Sequence, residues 1–251
     1  MDDKNVSEVE DYRRRISTGL EELQGRIAAA ARRAGRDPAS IELVAVSKFH
    51  PIGAVEAALN CGIHRFAESR VQEAESKFPE LRAKYSELRL DLIGHLQGNK
   101  VRRALSLFDR IQSIDSIELI ESIIAKIRDQ EEGLVLRPLE LLLELHTAED
   151  SKGGFPDADS LRRACEFISK RECPSIALRG LMTMAPQNAG EKAVRASFAQ
   201  LRMLGASVAT EFALPRFDVL SMGMSGDFET AIEEGATEIR IGTALFGGRP
   251  P

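Results

Sequence analysis

Apolar residues recur at steps of three and four along the first part of the chain: Val6, Val9, Tyr12, Ile16, Leu20, Leu23, Ile27, Ala30 and Ala34. That spacing lays them along one stripe of a helix over 6–34, with Glu10, Arg13, Arg14, Glu21 and Arg26 on the opposite face. Gly35 supplies a C-terminal stop and Pro38 bars continuation. The run Arg13-Arg14-Arg15 has acidic neighbours and reads as solvated helix surface. Beyond residue 40 the pattern changes to short apolar runs alternating with amphipathic stretches. Strands are predicted at 41–47, 64–67, 90–94, 110–114, 138–145, 176–182, 217–221 and 238–242. Helices are predicted near 52–61, 69–85, 98–106, 116–131, 157–171, 190–206 and 226–234. Such alternation needs crossover connections and therefore parallel strands. Eight of them over about 210 residues close most simply as a (β/α)8 barrel, with an open doubly wound sheet as the rival. The expectation is an α/β fold, a single (β/α)8 TIM-type barrel with an extra N-terminal helix. No linker rich in Pro, Gly or Ser interrupts the chain, so 1–251 reads as one domain, with 1–35 packed on the barrel.

Composition narrows the function. The 251 residues carry 34 Lys plus Arg against 39 Asp plus Glu, a net charge of −5. With 43 % hydrophobic residues the chain is too apolar to be disordered. Aromatics are only 5 %, with no Trp and two tyrosines, Tyr12 and Tyr85. That argues against stacking on single-stranded nucleic acid, and the acidic balance argues against a general phosphate-backbone binder. Cys61, Cys165 and Cys173 are odd in number and share no CxxC spacing, which fits a reducing compartment. The start, MDDKNVSEVEDY, has no signal pattern, and the apolar run Leu139–Leu145 is broken by Glu140 and Glu144. A cytoplasmic protein without membrane or nucleic-acid partners is expected.

In a barrel of this kind the active site lies on the loops at the carboxyl ends of the strands. Lys48 ends the first strand after Leu43-Val44-Ala45-Val46, where apolar walls would disfavour its ammonium form and free the amine for a Schiff base. A lone strand-end lysine is more readily a surface residue. Ser225-Gly226-Asp227 opens a helix after strand seven, and Gly242-Thr243 closes strand eight. Either pair of hydroxyl and glycine could merely cap, but together, after strands seven and eight, they form a candidate phosphate site. A lysine facing a phosphate cradle suggests a phosphorylated aldehyde, namely pyridoxal 5′-phosphate. Strand alternation puts Arg240 on the same side as Gly242, where its guanidinium could face the ring nitrogen and weaken the ring as an electron sink; alternatively it pairs with an acid such as Glu68. The four histidines form no HxxxH or HExxH pair, so no metal is expected. GxGxxG, GxxxxGK and GxSxG are absent, and the stretch 149–154 reads as a mobile loop with a solvent-facing Lys152.

The motifs AVSK (45–48), FAESRVQE (66–73), LIGHLQGNK (92–100), SIDS (113–116), EDSKGGF (149–155), RGLMTMA (179–185) and SMGMSGDFETAIEEGATEIRIGTALFG (221–247) resemble the YggS/PROSC family of pyridoxal-phosphate homeostasis proteins. The resemblance runs from about residue 20 to the end. It implies a barrel like the amino-terminal domain of alanine racemases, the cofactor linked to Lys48, phosphate contacts at Ser225, Gly242 and Thr243, and ring-nitrogen contact at Arg240. Ser69 and Ser221 complete the expected cofactor-binding set. The chain departs from the family pattern in three places. Ser69 replaces an asparagine, Leu90-Asp91 replaces a Trp-His pair, and His146 stands where an asparagine is expected, all read as lying on the substrate side of the mouth. The expected role is a monomeric cofactor carrier without strong catalysis, its partners the cofactor and, as candidates, the enzymes that use it. A racemase-like enzyme needs a second base, for which His95 or His146 would have to serve. A cofactor-free Schiff-base aldolase and a plain binding barrel are the remaining alternatives.

Overall fold

The computed structural model describes residues 3–129, 137–147, 153–171, 173–214 and 216–248, with side chains from residue 9 onward. Eight parallel strands close in sequence order into a barrel: β1 (Glu42–Val46), β2 (Arg65–Glu68), β3 (Arg89–Leu92), β4 (Arg110–Ile114), β5 (Leu139–Glu144), β6 (Ile176–Met182), β7 (Val219–Ser221) and β8 (Glu238–Ile241). The strand that closes the ring is β8, which pairs with β1 in the register Val44↔Arg240 and Ala45↔Ile241. The open-sheet alternative is therefore excluded. The helices are α1 (Asp3–Arg33), α2 (Ile52–Asn60), α3 (Val71–Lys84), α4 (Val101–Leu107), α5 (Ile117–Arg128), α6 (Ala158–Ser169), α7 (Glu191–Glu211), α8 (Phe228–Glu233) and α9 (Thr243–Phe246). The sequence reading misses α9, whose single turn is too short to show a period. It also ends α7 five residues early, one residue past Gly205, which packs on Leu220.

The strand faces divide sharply. Outward residues such as Ala45, Phe66, Leu90, Ile111, Leu141, Leu143, Ile239 and Ile241 join the helices in one large apolar core. The inward face is different. Val44, Val46 and Ala67, with Ile93 against them, form a small separate apolar cluster inside the barrel. Most of the remaining interior is charged. Arg110 binds Glu140 at 2.5 Å and Glu238. Arg65 binds Asp91 at 3.1 Å, and Arg179 binds Glu140 at 2.6 Å. Gln112 donates to both Asp91 and Glu238 at 2.7 Å. Burial pushes the Asp91 carboxyl up, against the pull of Arg65 and Arg110. Asp91 thus sits wholly buried in the barrel interior, not on the substrate side of the mouth as its place among the departures suggested.

Helix α1 forms a second layer over α2, α8 and α9. Ile16, Leu23, Ile27 and Ala30 of its stripe are buried, as is Ala31 beside it. Val6 belongs to the residues without described side chains. Arg26 grips Glu229 with two hydrogen bonds of 3.0 and 2.9 Å, and Arg33 reaches Glu233 at 2.7 Å. Beyond the helix, Arg36 caps α8 by donating to the carbonyls of Ile232 (2.9 Å) and Ala236 (2.7 Å). Among the described residues no helix is long and apolar enough to cross a membrane.

Candidate functional site

The inner face of β1 runs Val44, Val46, and two residues further on Lys48, half-buried in the turn that follows the strand. On the neighbouring strand the same face runs Glu238, Arg240, Gly242. The pairing Val44↔Arg240 places Gly242 beside Val46, and a Cβ on Gly242 would lie 3.4 Å from the Val46 carbonyl oxygen and 3.6 Å from its Cβ. Glycine keeps that corner of the mouth open next to the Lys48 turn.

The loop after β7 folds over this corner. Ala244 N–H donates to Ser225 Oγ at 3.3 Å, which joins the two loops that the sequence reading paired as a cradle. Asp227 does not cap α8 with its side chain; its Oδ1 accepts instead from Met224 N–H at 2.6 Å and closes the loop on itself. Among the described residues, the N–H groups of Ser225, Gly226, Gly242 and Thr243 meet no acceptor. Four open backbone donors on two adjoining loops suit a phosphate. The residues present therefore fit a phosphorylated ligand.

Arg240 is buried below them. Its Nη1 donates to Ser221 Oγ at 2.7 Å and its Nη2 to the Thr183 carbonyl at 2.9 Å. It does not pair with Glu68, which points outward to Ser47 Oγ (2.8 Å) and Lys77 Nζ (2.6 Å). Burial pulls the Arg240 guanidinium down from its ordinary value, while Glu238, Glu144 and Asp227 hold it up. Ser221 Oγ in turn donates to Gln112 Oε1 at 2.7 Å. A continuous chain Arg240–Ser221–Gln112–Glu238–Arg110 thus connects the mouth to the charged interior. Thr183 and Gln112 are the positioning groups the sequence reading leaves out.

Ser69 follows β2, and the register Ala45↔Phe66, Val46↔Ala67 carried forward sets it beside the Lys48 turn. Its carbonyl packs onto Gly94, where a Cβ would come within 2.2 Å of the oxygen. His95 and Asp115 share a 2.9 Å contact after β3 and β4. His146 follows β5, and its Nε2 is buried without a partner among the described residues. Between them Glu144, at the end of β5, is pushed up to about 7 by burial, with Asp115 adding to the effect and Arg240 and His95 opposing it. Lys152 and the loop 149–152 fall outside the described residues. A cavity of about 300 Å³ opens at the other end of the barrel, among Leu20, Glu42, Cys61, His64, Arg65 and Arg89. Barrel chemistry sits at the carboxyl ends of the strands, so the mouth remains the candidate despite that volume.

Over residues 19–250 the chain matches the family described as alanine racemase, N-terminal domain. A pyridoxal phosphate homeostasis protein of Vibrio cholerae is 37 % identical over 240 residues, covering 94 % of this chain and 97 % of the relative. One from Pseudomonas aeruginosa is 38 % identical over 235 residues, with 93 % and 96 % coverage. PipY of Synechococcus elongatus, solved with PLP bound, superposes with a TM-score of 0.79 at 35 % identity, covering 92 % of this chain and all (100 %) of that one. An alanine racemase from Bacillus anthracis shares the fold, with a TM-score of 0.64 at 15 % identity over 92 % of this chain and 57 % of its own.

Proposed function

This chain belongs to the pyridoxal phosphate homeostasis proteins, within the alanine racemase N-terminal-domain family, and from that premise we propose that it binds pyridoxal 5′-phosphate at the barrel mouth and holds it through Lys48. The observation that carries the reading is the junction of β1 and β8, where the Lys48 turn, the inward Arg240 and the open donors of two loops converge. When bound, the cofactor supplies an aldehyde that a lysine amine captures as a Schiff base, with loss of water. The loop N–H groups of Ser225, Gly226, Gly242 and Thr243 take the phosphate, and the Ser225 and Thr243 hydroxyls stand beside them. Arg240, fixed by Ser221 and Thr183, would hold its positive charge toward the ring nitrogen and disfavour a proton there. That arrangement suits retention of the cofactor better than carbanion chemistry. We read the protein as a cytoplasmic monomer that buffers the cofactor and passes it to client enzymes; its three unpaired cysteines agree with a reducing compartment.

The purified protein is expected to be yellow, and borohydride is expected to fix the label on Lys48. Lys48→Ala should lose the visible band, and a band that survives unchanged assigns the lysine elsewhere. The His95–Asp115 pair supports a second reading, a racemase-like enzyme with His95 as base. Deuterium uptake at the α-carbon of amino acids, followed by NMR in heavy water, separates the two. Slow or absent exchange supports the carrier, and fast exchange lost in His95→Ala supports the enzyme.

A further inference from the structure

The turn that carries Lys48 is held by a group that belongs neither to it nor to the cradle. Lys77, on α3, is buried, and its ammonium lies 3.0 Å from the Ser47 carbonyl and 3.1 Å from the His50 carbonyl. It also contacts Glu73 Oε1 at 2.9 Å and Glu68 Oε1 at 2.6 Å. Three ammonium hydrogens are thereby shared among four acceptors, two of them the carbonyls that flank Lys48 and Phe49. Both carboxylates hold the same turn a second time. Glu68 accepts from Ser47 Oγ at 2.8 Å, and Glu73 accepts from Phe49 N–H at 2.5 Å. The turn needs such holding, because Phe49 has φ of 70°, a left-handed conformation that an aromatic residue adopts only under constraint from its surroundings. The loop backbone on both sides of Lys48 is therefore set from outside the barrel wall.

We propose that Lys77 is a positioning residue, clamping the turn 47–50 together with Glu68 and Glu73 so that the Lys48 amine is presented into the barrel mouth. The proposal rests on Lys48 being the cofactor-linked lysine. It assigns the clamp a role specific to the aldehyde end of the ligand. The phosphate end is held by the β7 and β8 loops, which the clamp does not touch.

The test compares two ligands on the full chain: pyridoxal 5′-phosphate, and pyridoxine 5′-phosphate, which carries an alcohol in place of the aldehyde. Glu73→Ala removes the acceptor for Phe49 N–H while leaving Lys77 its partner Glu68, so the buried charge stays paired. Loss of one hydrogen bond to a charged group predicts an aldehyde-ligand affinity about tenfold weaker in Glu73→Ala. Misplacing the nucleophile predicts an adduct that forms up to about 100-fold more slowly in Lys77→Met. Pyridoxine phosphate binding should change less than about twofold in both variants, within the range of a neutral substitution. Glu73→Gln, which keeps an acceptor for Phe49, should restore most of the loss. Lys77→Met strands two carboxylates and can fail to fold, in which case Glu73→Ala and Glu73→Gln decide. Equal weakening of both ligands, or an unchanged affinity for the aldehyde in Glu73→Ala, overturns the positioning role. A visible band retained in Lys48→Ala would instead sink the Lys48 assignment, and this inference with it.

Discussion

The half of the barrel built from β7, β8 and β1 carries an extra layer, and the half from β2 to β6 does not. Helix α1 lies across α2, α8 and α9, the helices that follow β1, β7 and β8. On that braced half stand Lys48, Ser221, Ser225, Arg240, Gly242 and Thr243. The departures from the family pattern, Ser69, Asp91 and His146, stand on the other half. The difference is one of mechanical support as well as chemistry. Two loops with open N–H donors must stay in register with the Lys48 turn, and the helices behind them are pinned by α1. The helices behind the other strands have no such layer over them among the described residues.

The strongest way to break this comparison is to remove the brace. Deleting residues 1–34 uncovers the partners of Ile16, Leu23 and Ile27, each a buried side chain of about 1.5–3 kcal/mol. The loss should exceed about 5 kcal/mol, a large share of the stability of a single domain. Urea denaturation should show the truncated chain unfolded or nearly so. A truncated chain with unchanged midpoint and cofactor content would mean that the brace is ornamental.

Next comes the interior beneath both halves. Arg110 is buried between Glu140, Glu238 and Asp91, so Arg110→Met strands buried carboxylates. Destabilisation of about 3–5 kcal/mol is expected, read from the shift in urea midpoint. A shift below about 1 kcal/mol would show that water or protonation relieves the stranded acids.

How much of this was legible beforehand follows from what a period can reveal. The strands 110–114 and 176–182 are found at the predicted limits, although the register of each slips once against β5. Alternation at Arg65, Asp91, Arg110, Gln112, Glu140 and Glu238 says that one face is polar. It does not say that this face is the inside of a closed barrel, since an antiparallel sheet would turn it to water. Arg240 and Gly242 were paired correctly by parity alone. Lys77 was missed although it occupies the apolar face of α3 between Ala74 and Phe78, a position where a lysine is itself a signal. Its partners come from three different elements, and only the fold brings those together.

The pH response should distinguish the halves more gently. Glu144, on the unbraced side, has its carboxyl raised from the ordinary 4.5 to about 7 by burial. The folded state therefore binds an extra proton between those values, and stability falls as pH rises through that window. The Glu144 share of the fall amounts to at most about 3 kcal/mol and should be removed in Glu144→Gln, leaving a shallower slope from buried Asp91, measured as urea midpoints from pH 4.5 to 7.5. A wild-type profile that rises over the same range, or a Gln variant with the same slope, would show that Glu144 is charged in the folded protein.

The smallest effect tests what the brace is made of. Arg26 makes a two-point contact with Glu229 and lies 4.6 Å from the Phe228 ring centre, so it looks like the principal tie between α1 and α8. Its side chain is 47 % exposed, however, and water competes for both partners there. An exposed ion pair contributes about 0.2–1 kcal/mol, and an exposed cation–π contact about as much. Arg26→Ala should therefore cost about 1 kcal/mol, with part of that loss reproduced in wild type by raising the salt concentration. Cofactor content should not change, because the apolar stripe still holds α8 in place. If Arg26→Ala instead loses cofactor as the truncated chain would, the register of α8 depends on that one contact, and the brace works through charge rather than through burial.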